Sequence, residues 1–152
     1  MVNNNPARER ALLYLGRFSR TRKQVKDYLK RKEFTPEQIE DAINYLVEHL
    51  YLNDRAFAES FIQEKIKHRD GPLKIRQMLY LKGIAPEDST AILNELYPVE
   101  LQQENVAALL QQKLRSGQSF SSLNRNEREK LFRFVASRGF NRYVIIQAFK
   151  SL

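Results

Sequence analysis

The 152-residue chain contains no cysteine, and His49 and His68 are its two histidines. The first lack excludes disulfides and thiolate chemistry, and the scarcity of histidine puts a histidine-rich metal site out of reach. Also missing are the glycine-rich phosphate loop GxxxxGK(S/T), the nucleophile elbow GxSxG, the zinc-protease pattern HExxH and the dinucleotide fingerprint GxGxxG. The expectation is therefore of no catalytic residues, no cofactor and no metal. No run of about 18 apolar residues is present to span a membrane. The opening MVNNNPARER lacks the apolar stretch of a secretory signal, so a cytoplasmic protein off the membrane is expected. Alternation of apolar and polar residues, the mark of half-buried strands, is nearly absent.

What the chain does have is positive charge. Lys and Arg number 26 against 18 Asp and Glu, a net charge of +8 at pH 7, alongside 42% apolar residues. That apolar share is enough for a core, and the charge points to a polyanion or an acidic protein as partner. The sign alternates by block. Residues 8–32 carry ten cations against two acids, 33–64 one against eight, 65–82 six against one, 83–108 none against five, and 113–150 nine against two. Such blocks suit solvated helix faces that pair with one another. Their regularity points to a repeat.

VKDYLKRKEFTPEQIEDAINYL (25–46), IRQMLYLKGIAPEDSTAILNEL (75–96) and LFRFVASRGFNRYVIIQAFKSL (131–152) align without a gap. Val25, Ile75 and Leu131 coincide, as do Leu29, Leu79 and Val135; Lys32, Lys82 and Arg138; and Phe34, Ile84 and Phe140. Each copy reads as a short helix, a tight turn and a second helix. One more amphipathic helix lies upstream of each, at roughly 6–18 (Leu12, Leu15, Phe18), 54–68 (Phe57, Phe61, Ile62) and 100–115 (Val106, Leu109, Leu110, Leu114). The expected fold is all-α, with three tandem three-helix units at 1–50, 51–98 and 99–152 forming an elongated, curved array. Thr21 with Gln24, Thr35 with Gln38 and Asn124 with Glu127 have capping-box spacing, and Pro36, Pro72 and Pro86 suit first helical positions. Gly83 and Gly139 are expected in left-handed turns, and 115–124 as a polar loop. The cations at 32, 82 and 138 fall in the last turn of each unit's second helix, where they offset its negative end. Asp54 opens the fourth helix, as its cap or as the partner of a nearby cation.

Two basic clusters remain as candidate contact sites: Arg17, Arg20, Arg22, Lys23, Lys26 and Lys30 in the first unit, and Lys67, Arg69, Lys74 and Arg76 in the second. Both lie where helix ends meet loops, which suits contact with phosphate or carboxylate. The alternative is that they pair with the acidic third helices. Tyr14, Tyr28, Tyr51 and Tyr80 are interleaved with these cations, and their helical spacing fits a core better than a base-stacking platform. Glu37, Glu40 and Asp41 read as a solvated face opposite Ile39, Ala42, Ile43 and Leu46.

Residues 52–84, LNDRAFAESFIQEKIKHRDGPLKIRQMLYLKGI, resemble the RecX family of bacterial RecA regulators. The family's central signature appears as Asp54, Phe57, Ala58, Gly71, Pro72, Lys74 with Ile75, Leu79, and Lys82-Gly83-Ile84, and Arg138-Gly139-Phe140 is similar to its third-unit motif. Glu33 stands in place of the turn glycine of the first unit, which suggests a looser or differently shaped turn. The resemblance implies a non-enzymatic, monomeric modulator in homologous recombination, DNA repair and the SOS response. Such a protein binds the RecA filament on single-stranded DNA and suppresses its extension, strand exchange and coprotease activity. A helical-repeat protein that binds nucleic acid without RecA, and a self-associating scaffold, are the rival expectations.

Overall fold

The computed structural model describes residues 4–16 and 18–152. Its elements are α1 (Pro6–Leu15), α2 (Arg22–Arg31), α3 (Pro36–Glu48), α4 (Asp54–Lys67), α5 (Pro72–Leu81), α6 (Pro86–Leu96), α7 (Val99–Lys113), α8 (Arg125–Ser137) and α9 (Arg142–Lys150), with a 3-10 turn at Phe120–Ser122 before α8. Among the described residues there is no strand, and no helix is long and apolar enough to cross a membrane. The helices pack as triads: α1 to α3, α4 to α6 and α7 to α9.

Local chemistry sets the helix ends. Thr21, Thr35 and Asn124 each accept the backbone N–H three residues on, while Gln24, Gln38 and Glu127 reach back to the cap's own N–H. These are complete capping boxes. Proline occupies the start of α1, α3, α5 and α6, where its missing N–H costs nothing. Gly83 (φ 95°) and Gly139 (φ 100°) adopt the left-handed conformation expected of them. Glu33 corrects the expectation of a different turn, because it enters the same region at φ 65°. Its N–H meets Lys30 O and the next N–H meets Leu29 O, as Gly83 and Ile84 do with Tyr80 O and Leu79 O. A non-glycine residue there costs about 1 kcal/mol, and the turn survives with Glu33 exposed.

Three other expectations need correction. Phe18 does not extend the stripe of α1: the helix ends at Leu15, and Phe18 is 63% exposed beyond it. The cations at 32, 82 and 138 are the residues just past the last turns, not members of them. Asp54 does not cap α4, which Asn53 does, and among the described residues it has no cation partner; its Oδ1 accepts the N–H of Arg22 at 2.9 Å, on another triad.

Two separate cores result. Ala7, Ala11, Val25, Leu29, Ile39, Ala42, Leu46 and Leu52 fill the first triad, whereas a continuous cluster from Ala58 to Ala148 runs through the second and third. The joints between triads share one design: the head of a unit's second helix meets the tail of the next unit's second helix. At the first joint the Thr21 hydroxyl donates to Lys82 O and Asp54 takes the orphan N–H of Arg22. At the second, α5 has no side-chain cap, and instead Gly71 N–H donates to Arg138 O at 2.7 Å and Leu73 N–H to Gly139 O at 3.0 Å. At this second joint, unpaired donors at the head of α5 are thus met by carbonyls at the tail of α8, with the dipoles aligned. A Cβ on Gly71 would lie 2.2 Å from the carbonyl carbon of Gly139, so this approach requires glycine.

Candidate interaction surface

The segment RKQVKDYLKR of α2 turns Val25 and Leu29 fully into the core, which forces Arg22, Lys23, Lys26 and Lys30 outward, all exposed. Arg22, Lys26 and Lys30 form one stripe with about 6 Å between successive positions along the axis. Between α2 and α3 opens a cleft of about 620 Å³. Its basic wall is this stripe with Lys23, its floor is Phe34, Ile39 and Ile43, and Glu40 stands on the α3 side.

Among the described residues, Lys23 is the α2 cation with a carboxylate partner, Asp27 at 2.9 Å on the same helix. The hydrogen bond from Lys23 holds the Asp27 carboxyl below its ordinary pKa, but both side chains are exposed and the pair adds little stability. Among the described residues no α2 cation is ion-paired with an acid of α3, so the alternative of mutual neutralisation does not describe this face. Of the three acids placed on the solvated face of α3, Glu37 and Glu40 are exposed; Asp41 is half-buried and takes Arg8 through two 2.8 Å contacts and Asn5 at 2.7 Å, tying α1 to α3.

Arg20 sits in the linker before α2 with its guanidinium over the rings of Tyr14 (4.9 Å) and Phe18 (5.4 Å). Tyr14 in turn stacks on Tyr28 at 4.0 Å, so these two tyrosines belong to packing, while Tyr51 and Tyr80 are 55% and 60% exposed. Arg17 lies outside the described residues. The second cluster is dispersed. Lys67 is exposed at the end of α4, and Arg69 is half-buried at φ 59°. Lys74 pairs with buried Asp70 at 3.2 Å, and Arg76 reaches Thr90 Oγ1 at 3.5 Å. The structure therefore gathers Arg22, Lys23, Lys26 and Lys30 on one groove and spends Lys74 and Arg76 on internal contacts.

The signature residues hold the scaffold. Ala58, Ile75, Leu79, Ile84 and Phe140 are buried, and Phe57 packs against their cluster. Lys82 lies over Phe61 at 5.6 Å, and Arg138 donates to Asp70 and to His68 O across the second joint. Sequence reasoning missed the apolar floor of the cleft and the exposure of Leu73, Tyr80 and Leu81 on α5. The available signal was that these three fall off the Ile75, Leu79 stripe.

Fold and surface together define a class: an all-helical protein of tandem three-helix units that presents a cationic groove on its first triad. Residues 7–46 match the model of the first three-helix domain of RecX, and residues 53–93 that of the second. The chain belongs to the RecX family. It is 34% identical over 140 residues to a regulatory protein RecX of Clostridium botulinum, covering 91% of this chain and 64% of that protein. Against the regulatory protein RecX of Oceanobacillus iheyensis the identity is 35% over 133 residues, covering 87% and 48%. The chain thus spans between about half and two thirds of the length of these relatives. Among solved structures, RecX from Lactobacillus salivarius superposes with a TM-score of 0.87 at 28% identity, covering 97% of this chain and 94% of that one.

Proposed function

We propose that the protein is a non-enzymatic regulator of RecA: it binds the RecA filament on single-stranded DNA and limits its extension, and with it strand exchange and coprotease activity. It acts as a monomer in the cytoplasm. The observation that carries this reading is the α2 stripe of a RecX-family chain, Arg22, Lys26 and Lys30, whose charges are not spent on carboxylates among the described residues. A protein filament on nucleic acid offers both carboxylates and phosphates, and Arg forks and Lys point charges serve either. Arg17, Arg20, Lys67 and Arg69 are further contacts in this reading. The net charge of +8 taken alone favours a second reading, a helical-repeat protein that binds nucleic acid without RecA.

Fluorescence anisotropy with a short single-stranded oligonucleotide separates them. The expected result is weak binding to the DNA alone, much tighter binding once RecA and nucleotide are added, and slower filament growth in the presence of the protein. Equal affinity with and without RecA, and no effect on filament growth, would return the protein to the second reading.

A further inference from the structure

The internal repeat gives three versions of one groove, and they differ in what fills them. In the second triad the positions equivalent to Lys26 and Glu40 are Arg76 and Thr90, which bridge the groove by a hydrogen bond. In the third triad the positions equivalent to Arg22, Lys26 and Ile43 are Arg128, Phe132 and Phe149. There the chain supplies its own occupant. The segment Ser119–Leu123 makes a 3-10 turn that lays Phe120 against Phe149 at 5.0 Å and under Arg128 at 5.3 Å, with Leu123 buried at 8% exposure. In the first triad Lys26 and Glu40 stand unbridged on opposite sides of the cleft, and no segment enters it among the described residues.

We infer that the α2–α3 cleft is a docking site for an acidic protein segment that folds into a short helical turn with two apolar anchors three residues apart, as Phe120 and Leu123 are in the third triad. The floor of Phe34, Ile39 and Ile43 takes the anchors, and Arg22, Lys26 and Lys30 take the carboxylates. A phosphate backbone would satisfy the cations but leave the apolar floor unused and would meet Glu40, so the observations favour protein over DNA at this site. The surface continues in kind: Lys23 also borders a second depression with Tyr80 and Leu81, which are 60% and 69% exposed. Apolar groups of that size beside a cation suit the same amphipathic partner. This inference deepens the filament reading and rests on it for the source of the segment, which would be a surface of the RecA filament.

The probe is a fluorescein-labelled synthetic peptide of about a dozen residues, rich in glutamate, with Phe and Leu spaced as in the third triad. Anisotropy against the full chain should show saturable binding that weakens about tenfold or more when both anchors become alanine, and again in the Lys26→Glu/Lys30→Glu protein. Ile43→Ser should weaken the peptide while leaving oligonucleotide binding unchanged, and a circular dichroism melt of that variant checks that it folds. Equal binding of the anchorless peptide, or an oligonucleotide that competes fully with the peptide, would overturn the inference in favour of a phosphate site. Filament growth is measured in parallel. If the peptide does not bind but filament inhibition still depends on Lys26 and Lys30, the groove inference fails while the filament reading stands. If the peptide binds as described but inhibition ignores these cations, the groove stands and the filament reading loses its site.

Discussion

The two joints of the array both set the head of one unit's second helix against the tail of the next unit's, but the first is bonded through side chains and the second through backbone. The second joint is embedded in a continuous core. Tyr97, 1% exposed, donates to Asp70 O, accepts from Asn105, and meets Phe140 edge-on at 6.3 Å, while Asp70 binds Arg138 and Lys74. At the first joint the contacts found are largely polar, Thr21 with Lys82 and Arg22 with Asp54, and the apolar clusters on its two sides are separate. Apolar burial couples units cooperatively, whereas a few hydrogen bonds position them without welding them. The difference points to a division of labour: α4 to α9 share one core, and we expect the first triad, which carries the cationic groove, to adjust upon it.

The comparison breaks most visibly at Gly71. Replacing it by alanine drives a Cβ into the Gly139 peptide, and we expect a loss of about 3 kcal/mol with one cooperative transition moved to lower denaturant. A midpoint unchanged from the parent would show that the second joint is not the stiff one. Next comes pH. Burial pushes the Tyr97 hydroxyl from 10.0 up to about 12, so its neutral form is favoured by folding. That contribution, about 2 to 3 kcal/mol, is fully present below pH 10 and is lost as pH rises toward about 12. Urea melts between those pH values should show the decline, and Tyr97→Phe should flatten it.

Gly83→Val perturbs the first joint instead. Positive φ resists a β-branched residue, and its Cβ would lie 2.4 Å from that of Lys23, so a cost of about 2 kcal/mol is expected. Its sharper signature is a separate early transition of the first triad, visible as a first phase of the tyrosine fluorescence, to which Tyr14, Tyr28 and Tyr45 contribute; a single coincident transition would argue against two bodies. Asp54→Ala should cost least, about 1 kcal/mol, the value of a helix cap. Hydrogen exchange at the Arg22 amide should accelerate while the amides of α8 stay protected; unaltered exchange at Arg22 would remove Asp54 from the joint.

The helix ends and the repeat were legible because caps, prolines and left-handed glycines act within a few residues: Thr21 and Gln24 close on each other whatever else the chain does. The joints were not. Asp54 and Arg22 are 32 positions apart, and nothing in the periodicity of α4 says that its first carboxylate serves another helix. Glycine at 71 could be read as a break before Pro72, but the reason it cannot carry a side chain is a carbonyl 68 positions away, known once the triads are docked. Glu33 misled for another reason: its turn is set by local hydrogen bonds, which an exposed non-glycine residue at φ 65° still makes. The basic clusters could be named, yet which cations stay free depended on tertiary partners such as Asp70 and Thr90.

The central claim is that the first triad makes the contact and the rest supports it, and charge reversal on each side tests it most directly. Lys26→Glu/Lys30→Glu on α2 and Arg125→Glu/Arg128→Glu on α8 change the same net charge, and helical content is checked for both. In a RecA filament-extension assay at equal protein concentration, the α2 variant should inhibit at least about tenfold less well than the parent, and the α8 variant should inhibit about as the parent does. Equal loss in both variants would reduce the effect to net charge, and full inhibition by a folded α2 variant would contradict the claim.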